Sequence, residues 1–394
     1  MHDPEAEQPQ PLVVYGAPSL HYDFGTHHPL TPRRFGPGID LLRALGADRF
    51  LVPAAVSDAQ LQRVHDAEYV ATVRMLSEYP DVGPQAGFAS WGDDPPFYGM
   101  HEAAAAVAGG SLAAMERILA GDESHVFHPG GGLHHAMPGR ASGFCIYNDV
   151  ALAVSRARDA GHRVLYVDLD VHHGDGVEAI FWNDPNVLTV SLHETGLSLF
   201  PGTGFVDDRG GPEAHGTAVN VPLQPGTADA SWLAALEMVL APLAAAFRPT
   251  VLVSQHGCDS HALDPLAHLR LSTAAISTAA RRLDALAHEH TSGRWLATGG
   301  GGYDVYRVVP RAWGLVWLAQ AHRDVPAGTP PAWRSRWEAD AATHRQGPPP
   351  DSWLDPPGIA PREPPDLAER NRQVAREALA GALPALAARG VAER

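Results

Sequence analysis

The stretch "YVDLDVHHGDG", residues 166–176, places Asp168, Asp170, His172, His173 and Asp175 within eight positions of an otherwise apolar, alanine-rich chain. A buried carboxylate is costly unless a cation or hydrogen-bond donors compensate it. In a strand, side chains two positions apart share a face, so Asp168, Asp170 and His172 align, with Val167, Leu169 and Val171 on the other side. Neighbours on that face stand about 6.6 Å apart, so a bend at the strand end has to close Asp170 and His172 onto one ion. A third ligand must come from elsewhere, and Asp259, just past "TVLVSQHG", is the candidate. Two carboxylates and one imidazole, with a position left for water, suit a catalytic divalent zinc; iron(II) or cobalt(II) could fill the same site. Alone, an Asp-rich strand end reads equally as an ion pair or a helix cap. His172 and Asp259 together favour the metal.

A water activated by such an ion still needs a base, and its substrate needs an electrophile and a proton donor. His134 and His135 offer adjacent imidazoles on the glycine-rich loop "GGGLHH". Each needs a carboxylate to fix its tautomer, and Asp168 and Asp175 are the two that the metal does not require. Tyr303, after "GGGG", is placed to donate to a developing oxyanion.

The elements that must position these groups alternate along the chain. Residues 11–16, 125–130, 162–171, 186–193, 250–257 and 294–302 read as strands; 101–120, 147–160, 230–247 and 272–290 read as helices. Alternation of this kind predicts an α/β fold, a single large domain over 12–324 with a mainly parallel sheet covered by helices on both faces. Sites in such sheets form at the carboxyl ends of strands. Here "HPGGGLHH", "HHGDG", "HETGLSLFPGTG", "QHGCDSH" and "GGGGYD" each follow a predicted strand, which points to one shared pocket. Residues 1–11 read as a flexible N-terminus. From 325 the chain turns proline-rich, so 325–366 reads as an extended wrapping segment or linker, followed by a C-terminal helix broken near Pro384.

Composition narrows the function classes. A net charge of −16 argues against nucleic acid, because phosphate binding needs clustered cations. Cys145 and Cys258 are too few for a disulfide framework and fit a reducing compartment. The N-terminus has no signal-peptide pattern, and no run approaches about 20 continuous apolar residues, so neither secretion nor a membrane span is expected. A cytoplasmic protein is the expectation.

Taken together, "GGGLHHAMPGRASGFCIYND", "YVDLDVHHGDGV", "SLHETGLSLFPGTG", "QHGCDSHALDPL" and "GGGGYDVYRVVPRAW" resemble the zinc-dependent histone deacetylase family of the arginase–deacetylase fold, and within it the bacterial acetoin-utilization deacetylases. The likeness runs from about residue 12 to 320. It implies one Zn2+ bound by Asp170, His172 and Asp259. It implies His135 backed by Asp175 as general base and acid, His134 backed by Asp168 as its electrostatic partner, and Tyr303 as the group that polarises the acyl carbonyl. Phe144 and Phe200 match the aromatic walls of an acyl-lysine tunnel and Gly143 its glycine. Asp93, with Asp94 adjacent, matches a rim aspartate that holds substrate backbone, and Arg34 an arginine of an acetate-release channel. A structural K+ or Na+ at Asp168, Asp170 and His172, with Ser191 nearby, is also implied.

Three positions refine the resemblance. Asp175 is the class I residue. Leu266 stands where one branch of polyamine deacetylases carries an acidic gatekeeper, so an acetylpolyamine is disfavoured. Leu133 stands where many relatives have tryptophan, which would widen an inner cavity towards longer acyl groups. The expected reaction is hydrolysis of N6-acetyl-lysine, on an acetylated protein or peptide with acetyl-CoA synthetase as a family-based target. Three alternatives compete. A small-molecule amidohydrolase is kept open by Asp93, Asp94 and Glu194. A catalytically silent acyl-lysine reader would have lost one of these groups. An arginase-like two-metal enzyme would need a second carboxylate set.

Overall fold

Eight short runs rich in Val, Leu and aromatic residues form strands: β1 Leu12–Val14, β2 Phe50–Leu51, β3 His125–His128, β4 Val164–Asp168, β5 Val187–Glu194, β6 Ala218–Leu223, β7 Val251–Gln255 and β8 Trp295–Thr298. The computed structural model describes residues 10–89 and 92–392, and in it these strands make one all-parallel sheet, ordered β2-β1-β3-β8-β7-β4-β5-β6. The helices are α1 Phe35–Ala44, α2 Asp58–Leu61, α3 Ala67–Glu78, α4 Met100–Ala120, α5 Asp149–Asp159 and α6 Asp175–Phe181. They continue with α7 Asp229–Phe247, α8 Thr273–His290, α9 Val309–Gln320, α10 Pro331–Thr343 and α11 Pro365–Ala392.

Strand alternation splits the core in two. Leu165 and Val167 of β4 pack with α1, α7, α8, α9 and α11, whereas Val164 and Tyr166 pack with α3, α4, α5 and α6. A sheet covered on both faces needs strands that are apolar nearly throughout, which these are. Two strands escaped the sequence pattern. β2 has only two residues, and in β6 Asn220 and Pro222 interrupt the apolar run; proline is tolerated there because β6 is an edge strand. By length and composition alone, α4 and α7 could cross a membrane, contrary to the expectation from continuous apolar runs. Here 72% and 50% of their most apolar windows are buried inside the fold.

Of the expected flexible N-terminus 1–11, residues 1–9 lie outside the described residues; the Gln10 carbonyl accepts from Arg49 at 2.6 Å. The C-terminal part of the chain departs from expectation. The proline-rich stretch is not simply extended. Pro331 opens α10, where its missing N–H is harmless, and Trp333 Nε1 donates to the Pro37 carbonyl of α1 at 2.8 Å. α11 runs on through Pro384 instead of breaking. The lost hydrogen bond is offset by burial of Ala378, Ala382 and Leu386 on the core formed with α7 and β6.

Asp355 fastens the proline-rich segment to the domain. Its carboxylate accepts from Thr273 N and Oγ1, from His261 Nε2 and from Arg311 Nη2, each at 2.8 Å. Burial alone would raise this carboxyl, but the His261 and Arg311 contacts outweigh it and hold it well below the usual carboxylate range. A carboxyl held low in the folded state contributes stability above its unfolded pKa of about 4 and loses it as pH falls towards the folded value. Asp355→Asn is expected to lower the unfolding free energy by about 3 kcal/mol at neutral pH, because it leaves Arg311 buried without its anion. In urea titrations the gap between wild type and variant should narrow below about pH 4.

Candidate active site

The predicted strand ends meet at the carboxyl edge of the sheet. β4 stops at Asp168, shorter than the expected 162–171, and the turn beyond it carries Asp170 and His172 to the head of α6, which starts at Asp175. Val167, Leu169 and Val171 lie in one core, as the alternation requires. Tyr166 Oη and the Asp170 N–H donate to Asp168 at 2.5 and 3.1 Å, so this carboxylate is fixed from its own strand. His173 turns away, towards Thr203 Oγ1 at 2.9 Å and Glu178 at 3.3 Å.

Asp170, His172 and Asp259 converge, with one ligand atom from each within 4.8 Å of the others. Asp170 Oδ2 accepts from Gln255 Nε2 at 2.7 Å and from Gly301 N at 2.8 Å, while Asp259 Oδ1 accepts from Val171 N at 3.0 Å. The second oxygens, Asp170 Oδ1 and Asp259 Oδ2, face His172 Nδ1 at 3.1 and 3.2 Å. A tetrahedral ion with bonds of about 2.0–2.1 Å separates its donors by roughly 3.3 Å, so the set fits a borderline divalent metal. Burial and the Asp170 charge push the Asp259 carboxyl up to about 6, the mark of a carboxylate pair that wants a cation. A Cβ on Gly301 would come within 1.9 Å of Asp259 Oδ2, so glycine is required for the loop to reach the site.

The two imidazoles stack beside this set, ring centroids 3.9 Å apart. His134 Nδ1 lies 2.7 Å from Asp168 Oδ2 and His135 Nδ1 lies 2.7 Å from Asp175 Oδ1. Their surroundings drive them apart. Burial opposes charge on His134, but the Asp168 and Asp170 carboxylates prevail and raise it to about 9. Burial and the neighbouring His134 charge lower His135 to about 4, against the pull of Asp175. One ring is thus cationic and the other neutral near pH 7. With both carboxylates turned to histidines, Asp168 through Oδ2 and Asp175 through Oδ1, neither is left to bridge a second catalytic divalent metal.

Residues that sequence reasoning passed over hold the histidine loop. Asp149 accepts from Gly132 N at 3.1 Å and from Leu133 N at 2.7 Å, and Ser111 links it at 2.5 Å to His128 at 2.7 Å. Asn148 caps α5 by accepting from Ala151 N at 2.8 Å, and its Nδ2 donates to the His134 and Ala136 carbonyls. The pair "ND" ahead of a helix is a capping signature that could have flagged them. Gln255 and Asp264, which accepts from Tyr303 N at 2.9 Å, carried no comparable signal.

The pocket above the metal set is lined by Gly143, Phe144, Leu133, Leu30 and Tyr303. Gly143 has φ +54°, and a Cβ there would meet His135 Cδ2 at 2.5 Å and Phe200 Cε1 at 2.8 Å. Phe144 packs edge-on to Tyr303 at 5.9 Å and Phe200 edge-on to His135 at 5.0 Å, so one ring stands beside the tyrosine and the other beside a histidine of the pair. Arg34 is buried, donates to the Gly300 carbonyl at 2.6 Å and lines a second cavity that shares Leu30 and Leu133 with the first. Ser191 pairs with Asp168 in the β4–β5 register, its hydroxyl 2.8 Å from His193 Nδ1.

Of the acidic residues expected near the mouth, only Asp93 is exposed; its carbonyl lies 3.0 Å from His28 Nε2, and the His28 ring packs on Phe144 at 4.5 Å. Asp94 is buried, which pushes it up to about 8, with the Asp93 charge adding to the shift. Glu194 is buried as well and is bound by His268 and Ser198. Leu266 is partly buried, its N–H donating to Asp264 at 3.0 Å.

The histone deacetylase domain matches residues 28–320. The acetoin utilization protein AcuC of Bacillus subtilis (strain 168) is 39% identical over 377 residues, 93% of this chain and 96% of its own length. AcuC of Staphylococcus xylosus is 37% identical over 332 residues, 82% of this chain and 86% of its own. AcuC of Staphylococcus aureus (strain COL) is 37% identical, covering 82% of this chain and 85% of its own. The chain belongs to the histone deacetylase family: it is a deacetylase, a hydrolase that resembles the acetoin utilization proteins.

Proposed function

We propose that the chain is a zinc-dependent protein lysine deacetylase that hydrolyses N6-acetyl-lysine to lysine and acetate. The observation that carries this reading is the charge split of His134 and His135 over a three-ligand metal set, at the floor of a pocket walled by Gly143 and Phe144. A zinc held by Asp170, His172 and Asp259 supplies Lewis acidity and lowers the pKa of the attacking water. His135, with Nδ1 turned to Asp175, keeps its Nε2 lone pair for that water's proton and returns the proton to the leaving ε-amine. His134, cationic against Asp168, holds positive charge beside it. Tyr303 donates its hydroxyl proton to the oxygen of the tetrahedral intermediate, and its raised pKa, from burial first and then the Asp259 charge, keeps that proton in place. Phe144 and Phe200 exclude water from a thin acyl-lysine chain. A K+ or Na+ at Asp168, Asp170, His172 and Ser191 belongs to the same reading.

Protein lysine is favoured over a polyamine by the mouth. A second ammonium would need exposed carboxylates, and of the three expected at the mouth only Asp93 is exposed; Glu194 and Asp94 are withdrawn into the protein, while Leu197 and Phe200 are exposed. Asp93 is left to hold substrate backbone. Acetylated acetyl-CoA synthetase in the cytoplasm is the proposed kind of substrate, on family grounds.

Cleavage of an acetyl-lysine peptide, assayed beside acetylputrescine, should stop with a chelator and return with Zn2+. Tyr303→Phe should lower kcat by about 10²–10³ with KM nearly unchanged, as loss of one oxyanion donor does. Turnover of acetylputrescine alone would overturn the substrate and keep the mechanism. Leu133 adds a second expectation, because it lines the inner end of the pocket. Leu133→Trp should reduce butyryl-lysine cleavage relative to acetyl-lysine by about tenfold or more, the worth of a methylene that no longer fits. An unchanged ratio in a competition assay would show that this position does not limit the acyl chain.

A further inference from the structure

A second set of ligating side chains converges at the opposite, amino edge of the sheet. His125 opens β3, Asp284 and His288 lie one turn apart near the end of α8, and His322 follows α9. One ligand atom from each lies within 4.8 Å of the others. Asp284 Oδ1 stands at the centre: 3.3 Å from His125 Nε2, 3.5 Å from His288 Nε2 and 3.2 Å from His322 Nε2. His288 Nε2 and His322 Nε2 face each other at 3.0 Å.

Hydrogen bonding alone accounts poorly for this geometry. The Nε2 of His125 is buried and makes no hydrogen bond, while its Nδ1 is taken by Ser124 Oγ at 3.0 Å. A buried ring nitrogen without a well-formed hydrogen bond is costly, and this one has only the Asp284 carboxylate, 3.3 Å away and outside hydrogen-bond geometry, to meet it. Two ring nitrogens facing each other can share at most one hydrogen bond. Four of the six donor separations, at 3.0–3.5 Å, match the edges of a tetrahedron with bonds of about 2.0–2.1 Å, and the other two lie within 4.8 Å. The side chains of His288 and His322 are 43% and 34% exposed, which leaves a path for an ion to enter.

We propose that His125, Asp284, His288 and His322 form a second metal site, for zinc or a similar divalent transition metal. With three imidazoles and one carboxylate from the protein it has no position reserved for substrate, so its role is structural. It clamps the end of α8 and the turn after α9 to the start of β3, at the far end of that strand from the histidine loop. His125 also packs edge-on to Trp295 at 5.7 Å, so the clamp reaches β8.

The test uses the full chain, stripped with a chelator, reloaded with Zn2+, desalted and measured by elemental analysis. Wild type should hold two zinc per chain. The double variant His288→Ala/His322→Ala should hold one and keep its deacetylase turnover. Asp259→Asn should also hold one but lose turnover, so the two sites fail separately. Zn2+ should raise the melting temperature of Asp259→Asn through the remaining site, and this rise should vanish when His288→Gln and His322→Gln are added. One zinc per wild-type chain, or a stoichiometry unmoved by the His288 and His322 substitutions, would overturn the proposal.

Discussion

Four carboxylates, Asp168, Asp170, Asp175 and Asp259, are buried together at one edge of the sheet. Each such charge costs several kcal/mol to take out of water unless donors or a cation meet it. The surrounding architecture answers that cost. Tyr166 and His134 meet Asp168, His135 meets Asp175, Gln255 and Gly301 meet one side of Asp170, and Val171 N meets one side of Asp259. The second oxygens, Asp170 Oδ1 and Asp259 Oδ2, face the His172 ring, and Asp170 Oδ1 also accepts from His172 N at 3.0 Å. Burial opposes charge on His172, but these two carboxylates raise it to about 10, and the three groups together make the candidate metal set.

The same constraint explains the loops. Short donors can reach buried carboxylates only if backbone comes close, and a Cβ at Gly174, Gly257 or Gly301 would strike Asp168, Asp170 or Asp259 within 2.2 Å. The parallel sheet provides the frame, because all its strands release their loops at one edge. Asp149 extends the scheme by one layer: buried itself, it is met by two loop N–H groups and by Ser111, and so holds the histidine loop at a fixed height over the three-ligand set.

The charge split of the two histidines follows from the number of carboxylates near each. His134 feels both Asp168 and Asp170 and stays cationic; His135 has Asp175 but also the His134 charge beside it and stays neutral. A neutral and a cationic imidazole thus come from one dipeptide, the kind of separation that allows acid and base chemistry at one pH. At the amino edge, three imidazoles and a single carboxylate reverse the balance, with donors in excess of charge.

Local pattern and motif order in the sequence determined the strands that carry the site, their parallel arrangement and the identity of the groups at their ends, from Asp170, His172 and Asp259 to Tyr303. Those features are local: a short apolar run names a strand, and polar residues at its end name a loop. Contacts that depend on distant chain segments were decided only by the tertiary structure. β2 is too short to show a period, and Asn220 and Pro222 mask β6. α10 hides among prolines whose effect reverses at a helix start. Gln255 and Asp264 act through groups far along the chain, and Glu194 and Asp94 look like mouth residues until burial withdraws them. His125 and His322 come together with α8 only because β3 and α9 pack beside it. Periodicity records which face a residue occupies; it carries no information about what distant segment arrives there.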